Sequence, residues 1–226
     1  MRRNLAGATA LAVSLAPAVG WATYTAVAWL GYGRLGVDRR PDTLLDRFMP
    51  AYEVTERHEL RVAAPASLTY AAAREFDLMD SPVIAALFRG RELMMGASHE
   101  ATPLRLRELT ECFGWRVLAE EPGREIVLGT VTKPWEPNVV FHGVAPERFA
   151  QFDEPGYAQI AWTLAAEPID ERTSVVRTLT RVRTTDSAAR ARFRRYWAVF
   201  SPGIALIRRA ALRSVRREAE RRVRAG

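Results

Sequence analysis

The stretch that decides the fold is Phe193-Arg194-Arg195-Tyr196-Trp197-Ala198-Val199-Phe200-Ser201-Pro202-Gly203-Ile204-Ala205-Leu206-Ile207, the middle of an Arg-rich segment running from Ser187 to Arg224. Phe193, Trp197, Phe200, Ile204, Ile207 and Ala211 recur at three- and four-residue steps, the spacing of one helix face. Tyr196 lies beside that stripe, and Arg192, Arg195, Arg209, Arg213 and Arg216 lie off it. Such a stripe packs a long helix on something apolar. Ser201-Pro202-Gly203 interrupts the middle, where proline removes a backbone donor and clashes with the preceding turn, so a kink is expected.

Working back from that helix, the pattern becomes one of strands. Ser174 to Thr184 and Tyr157 to Glu167 follow turn-rich segments, and Phe113 to Glu120 and Arg124 to Thr132 flank the hairpin-like Glu121-Pro122-Gly123. Arg177, Arg181 and Arg183 alternate with apolar and hydroxyl residues and read as a solvated face opposite acidic neighbours. Lys133 to Asp153 holds Pro134, Pro137 and Pro146 and reads as a rim loop with one short strand near Phe141 or Phe149. Further back, Val54, Glu56, His58, Leu60 and Val62 alternate with Thr55, Arg57, Glu59 and Arg61, a strand with one largely enclosed face. Two helices follow it, one from Pro65-Ala66-Ser67 through Phe76 and one opened by Asp80-Ser81-Pro82, a cap with proline in the first turn.

The N-terminus differs in character. Met1-Arg2-Arg3 and the apolar run from Leu5 to Val19 resemble a secretory signal, with Ala16-Pro17-Ala18 offering small residues for cleavage. The run continues through Trp21, Tyr24, Val27, Trp29 and Leu30, and a helix of that length exceeds a hydrocarbon core of ~30 Å. An uncleaved, single-pass transmembrane anchor is therefore expected, with cleavage and secretion as the alternative. Arginines flank both sides, so orientation stays open. Gly31-Tyr32-Gly33-Arg34-Leu35-Gly36 satisfies G-x-G-x-x-G but follows an apolar helix and runs into a linker, which excludes a dinucleotide site. The expected division is an anchor at 1–33, a linker at 34–51 and one domain at 52–226.

Composition narrows the function classes. The net charge of +7 comes from arginine, since Lys133 is the only lysine, and so uniform a choice is discounted as a sign of nucleic-acid binding. The three histidines and single Cys112 show no metal-ligand spacing, and no nucleophile elbow is present, so neither a metal, a cofactor nor a catalytic residue is assigned. Cys112 reads as a buried structural cysteine, and His99 and His142 as loop residues.

The order strand, two helices, antiparallel strands, long C-terminal helix resembles the START and Bet v 1-like superfamily (helix-grip, polyketide cyclase or dehydrase-like). Its carriers here are Glu56-Arg57-His58-Glu59 with Ala64-Pro65-Ala66, Gly123-Arg124-Glu125-Ile126-Val127-Leu128-Gly129, Glu154-Pro155-Gly156-Tyr157-Ala158, and Arg194-Arg195-Tyr196-Trp197 with Ser201-Pro202-Gly203. The resemblance implies an α+β helix-grip fold, in which a curved antiparallel sheet wraps the C-terminal helix around a pocket for an apolar ligand. Candidate ligand-binding residues are His58, Leu60, Trp115, Leu128, Trp162, Thr178, Phe193, Trp197, Phe200 and Ile204. His58 reads either as a donor or acid–base group or as a structural histidine paired with Glu56.

Three functions are compatible with this reading. The first is a membrane-tethered carrier of a small apolar ligand such as a lipid, isoprenoid, quinone or polyketide-like molecule. The second is a cyclase- or dehydratase-like enzyme using the same pocket. The third is an interaction module whose interior is filled. Anionic lipid is a further expected partner, through Arg208, Arg209, Arg213, Arg216, Arg217, Arg221, Arg222 and Arg224.

Overall fold

The computed structural model describes residues 20–32, 43–97, 106, 108, 110 and 113–225. The alternating segments pair as six strands: β1 (Val54–Val62), β2 (Arg116–Glu121), β3 (Glu125–Thr132), β4 (Phe141–His142), β5 (Ala158–Pro168) and β6 (Ser174–Thr184). They form one curved antiparallel sheet in the order β1-β6-β5-β3-β2, with β4 also on β3. Register is continuous where it matters: His58 stands opposite Thr178, and Leu128 opposite Trp162. A bulge between Val117 and Ala119 in β2 turns the sheet's edge.

Helices fill in around the sheet. They are α1, of which residues 20–31 are described, α2 (Thr43–Asp46), α3 (Ala66–Glu75), α4 (Pro82–Met95), α5 (Pro146–Phe149) and α6 (Ser187–Ala225). Pro82 sits at the first turn of α4, and Gly96 closes it with φ +65°, a left-handed conformation that glycine adopts without strain. Asp186 caps α6: its Oδ1 accepts the N–H groups of Ala188 at 2.7 Å and Ala189 at 2.8 Å. Those bonds, with another from Gly156, hold its carboxyl below the usual carboxylate range. The segment Ser201-Pro202-Gly203 is buried and helical, so α6 continues through the proline.

Two of the expectations change here. The first concerns Arg177 and Arg181, which are buried rather than solvated. The reason is a second core on the convex face, where Leu44, Leu45, Met49 and Phe149 cover Val127, Val131, Ala161 and Leu179. All eight residues of β3 are consequently buried. Acidic partners are present as expected: Arg177 meets Glu125 at 3.4 Å and Glu167 at 3.1 Å, and Arg181 meets Asp46 at 2.5 Å. Arg181 also donates to the Met49 carbonyl at 2.8 Å and stacks on Tyr52 at 4.4 Å. Part of the stretch expected as linker is thus packed on the sheet.

The second concerns the anchor. Of the expected anchor, only the helical residues 20–31 and Tyr32 fall among the described residues. Among the described residues no helix is long and apolar enough to cross a membrane. Instead this segment touches α6: the Arg194 guanidinium lies 4.2 Å from the Trp29 ring centroid and donates to the Trp29 carbonyl, and Tyr32 packs on Phe193. Leu5 to Val19, His99 and Cys112 lie outside the described residues.

Two measurements check this arrangement. Arg181→Ala removes the tie between the sheet and residues 46–52 and should cost about 2–4 kcal/mol, lowering Tm and speeding hydrogen exchange around Leu44 to Met49. Because the folded pKa of Asp186 is depressed, its stabilisation is present above the unfolded value near ~4 and is lost as pH falls through the lower folded value. Asp186→Asn should make the acid limb of a stability profile shallower.

Candidate functional site

The concave face of the sheet and the buried face of α6 enclose the inner core. Its sheet side comprises Ile126, Leu128, Trp162, Leu164 and Val176, and its helical side comprises Ala72 and Ala73 of α3 with Leu212, Val215 and Ala219 of α6. Trp115 meets Trp162 edge to face at 6.3 Å and Phe141 at 5.8 Å, an arrangement that suits the quadrupoles of the rings. The Trp162 indole N–H donates to the Thr178 hydroxyl, which pins the indole in place. A second inner cluster lies nearer the start of α6, where Phe193 and Trp197 pack with Val54, Ala158 and Val182.

The ten residues expected to bind ligand therefore divide. Leu60, Trp115, Leu128 and Trp162 gather in the first cluster, with Thr178 bonded to Trp162. Phe193, Trp197 and Ile204 gather in the second, and Phe200 rests on Tyr196 at 4.9 Å. His58 stands on β1 with its Nε2 3.7 Å from Glu56 Oε2, and both atoms are buried without a hydrogen bond. Only Trp162 and Thr178 of the ten line the cavity that the structure contains between sheet and helix.

That cavity is small, about 30 Å³, room for a water or two. Its walls are Ala73, Phe76, Leu78, Leu106, Trp162, Leu164, Thr178, Arg208, Ala211, Leu212 and Val215. Arg208 is the residue that sequence reasoning placed elsewhere, in the run expected to touch anionic lipid. Part of its chain retains some exposure, but Nε is closed off from solvent and makes no hydrogen bond, and the guanidinium carbon lies 4.8 Å from the Trp162 ring centroid. Burial pushes the guanidinium down to about 10, a shift that Glu56 partly opposes, so Arg208 still carries its charge at neutral pH.

The signal for Arg208 was present in the register. Its inward face runs Phe193, Trp197, Ser201, Ala205, Leu212, Val215, Ala219, all buried, and of the two positions that complete the steps of three and four, 208 and 209, the structure exposes 209 and half-buries 208. The alternative stripe through Phe200, Ile204 and Ile207 is larger in side-chain volume, but those residues are only half-buried. Beyond Arg208 the tail is partly paired within the fold: Arg222 bonds Glu218 at 2.7 Å and Glu75 at 2.6 Å, and Arg221 bonds Glu218.

Elsewhere, a larger cleft of about 460 Å³ opens on the rim by His142, Arg148, Asp153, Glu154 and Tyr157, where the His142 and Tyr157 rings meet edge on at 5.8 Å. Among the described residues no three His, Cys, Asp or Glu side chains gather to hold a metal ion.

The architecture, a curved antiparallel sheet on one long C-terminal helix, is the helix-grip arrangement expected from the sequence. No protein-family model matches the sequence, and no curated protein matches it. The chain is similar to the di-domain aromatase/cyclase BexL of the BE-7585A biosynthetic pathway, at 15% identity over 74% of this chain and a TM-score of 0.34. It spans about half of that protein, 46%. A hypothetical protein from Helicobacter pylori matches 77% of this chain and 93% of its own at 13% identity and a TM-score of 0.40. Norcoclaurine synthase from Thalictrum flavum, solved with dopamine and hydroxybenzaldehyde, matches 78% of this chain and 93% of its own at 12% identity and a TM-score of 0.34.

Arg208 is half-buried with its Nε closed off and unbonded beside an indole, so Arg208→Met should raise the denaturation midpoint slightly with unchanged slope. A lower midpoint would show that Arg208 is held by favourable contacts instead.

Proposed function

We propose that this domain binds and carries a small apolar molecule between the concave face of its sheet and α6. The observation that supports the reading is the apolar chamber itself, walled by Trp162, Leu164, Leu212 and Val215 and bounded by the connection at Phe76 and Leu78. At about 30 Å³ that chamber is too small for an organic molecule, so binding requires its wall to move. The wall suited to moving is the connection at Phe76 and Leu78, because it leads into α4, a helix that buries one residue, Ile84, of its fourteen and leaves Val83, Leu93 and Met94 exposed. Attachment to a membrane through residues 5–32 belongs to the same proposal and is tested separately, by fractionation of cells before and after removal of that segment.

A second reading is favoured by one observation, the 30 Å³ volume, which fits an interaction module with a filled interior. The cyclase-like reading has less behind it. An acid–base role for His58 or Glu56 needs them on the chamber wall, and neither lines it.

Native mass spectrometry of the purified full chain after incubation with a lipid extract separates these readings. The carrier reading expects an added mass from an apolar molecule, lost in Ala211→Leu, which fills the chamber at a cost of about 1–3 kcal/mol in stability. No uptake under any condition supports the filled-interior reading.

A further inference from the structure

We infer that the ligand is an apolar molecule bearing one carboxylate, and that Arg208 is the residue that holds the carboxylate. The inference rests on the carrier reading above. It starts from a contrast within the protein. The buried or half-buried arginines of β6 are all bonded: Arg177 to Glu125 and Glu167, Arg181 to Asp46 and the Met49 carbonyl, Arg183 to Gln159 at 2.6 Å and the Phe152 carbonyl at 2.8 Å. Arg208 has no such bond at any nitrogen, and its Nε, like that of Arg181, is closed off without a partner.

The surroundings do not make up for this. The other polar group on the chamber wall, the Thr178 hydroxyl, already accepts the Trp162 N–H. The carboxylate whose field reaches Arg208 is Glu56, yet Glu56 makes no ion pair with it and faces His58 instead, at 3.7 Å. What Arg208 presents at the chamber wall is a charged, planar guanidinium with one face on an indole, its Nε closed off and its terminal nitrogens reached by solvent. That combination matches a carboxylate, which accepts two parallel N–H bonds in the plane of the guanidinium while the ligand's body lies against apolar walls. A single negative charge is also what the site balances: a phosphate dianion would bring one charge too many into an apolar interior, and a neutral carbonyl would leave the guanidinium uncompensated.

The test uses matched probes, decanoate and decanol, titrated calorimetrically into the full chain and into Arg208→Met and Arg208→Lys. High salt screens the exposed arginines far more than an enclosed pair, so it suppresses surface binding of the anion. The expected result is decanoate bound at least about tenfold more tightly than decanol by the parent chain. Arg208→Met should abolish that preference while leaving decanol affinity within about twofold, and Arg208→Lys should keep part of the preference because it retains charge but not the fork. Equal binding of the two probes by the parent chain, or a preference that survives in Arg208→Met, overturns the carboxylate inference and leaves the carrier reading standing. Binding of neither probe overturns both.

Discussion

The structure depends on burial of one face of α6 against the concave side of the sheet. Phe193, Trp197, Leu212 and Val215 are all buried there, and each such side chain contributes about 1.5–3 kcal/mol when removed from water. A helix of 39 residues has only one continuous surface that can receive it, and the sheet must curve to follow it. The caps and turns serve that requirement. Asp186 fixes where α6 leaves β6, and the bond that Gly156 donates to it couples the same point to the start of β5. The proline at 202 costs a backbone bond but lies where α1 and α4 approach: a side chain at Gly203 would meet Trp21 at 3.7 Å and Leu87 at 3.8 Å.

A sheet curved around a helix has an outer side to cover as well, and that explains the arginines of β6. Arg177 and Arg181 would be expensive inside an apolar layer, but the convex core brings Glu125, Asp46 and the Met49 carbonyl to them. Their long aliphatic stems then pack beside Leu179 and Ala161 while their heads are satisfied. Alternating arginine is therefore compatible with a strand buried on both faces. On the inner side the same residue type has no such partner, and the difference lies in the neighbours that the fold supplies.

Much of this was legible in the sequence, for reasons that can be named. The period-two segments became β1 and β6 with the expected limits, Val54–Val62 and Ser174–Thr184, because turn residues bound both. The inward sets Ile126, Leu128 and Ile160, Trp162, Leu164 followed from parity alone, since a slip of one residue would have turned them all to the other face. What escaped reading was set by long-range packing. The short strand expected near Phe141 or Phe149 falls at Phe141, while Phe149 lies in a short helix on the convex core, and nothing local announces that cover. Of the expected stripe on α6, Phe193 and Trp197 are buried, whereas beyond Trp197 the fully buried positions include Ser201, Ala205, Leu212 and Val215 and the bulkier Phe200, Ile204 and Ile207 are half-buried. Arg208 was consequently counted with the exposed tail.

The chamber and Arg208 belong to one energetic problem. The protein holds a charge beside an indole and about 30 Å³ of space, and Glu56 stands against His58 rather than within bonding distance of that charge. A carboxylate brought within hydrogen-bond reach would stabilise the fold by pairing the guanidinium. A fold under selection for stability alone has an easy remedy at position 208, since a methionine continues the stripe of Ala205, Leu212 and Val215 without desolvating a charge. The retained cost makes sense when something outside the chain relieves it. A molecule that neutralises the guanidinium and spreads its body along the walls does both at once, and its binding energy is largest for the part of the structure that is least satisfied without it.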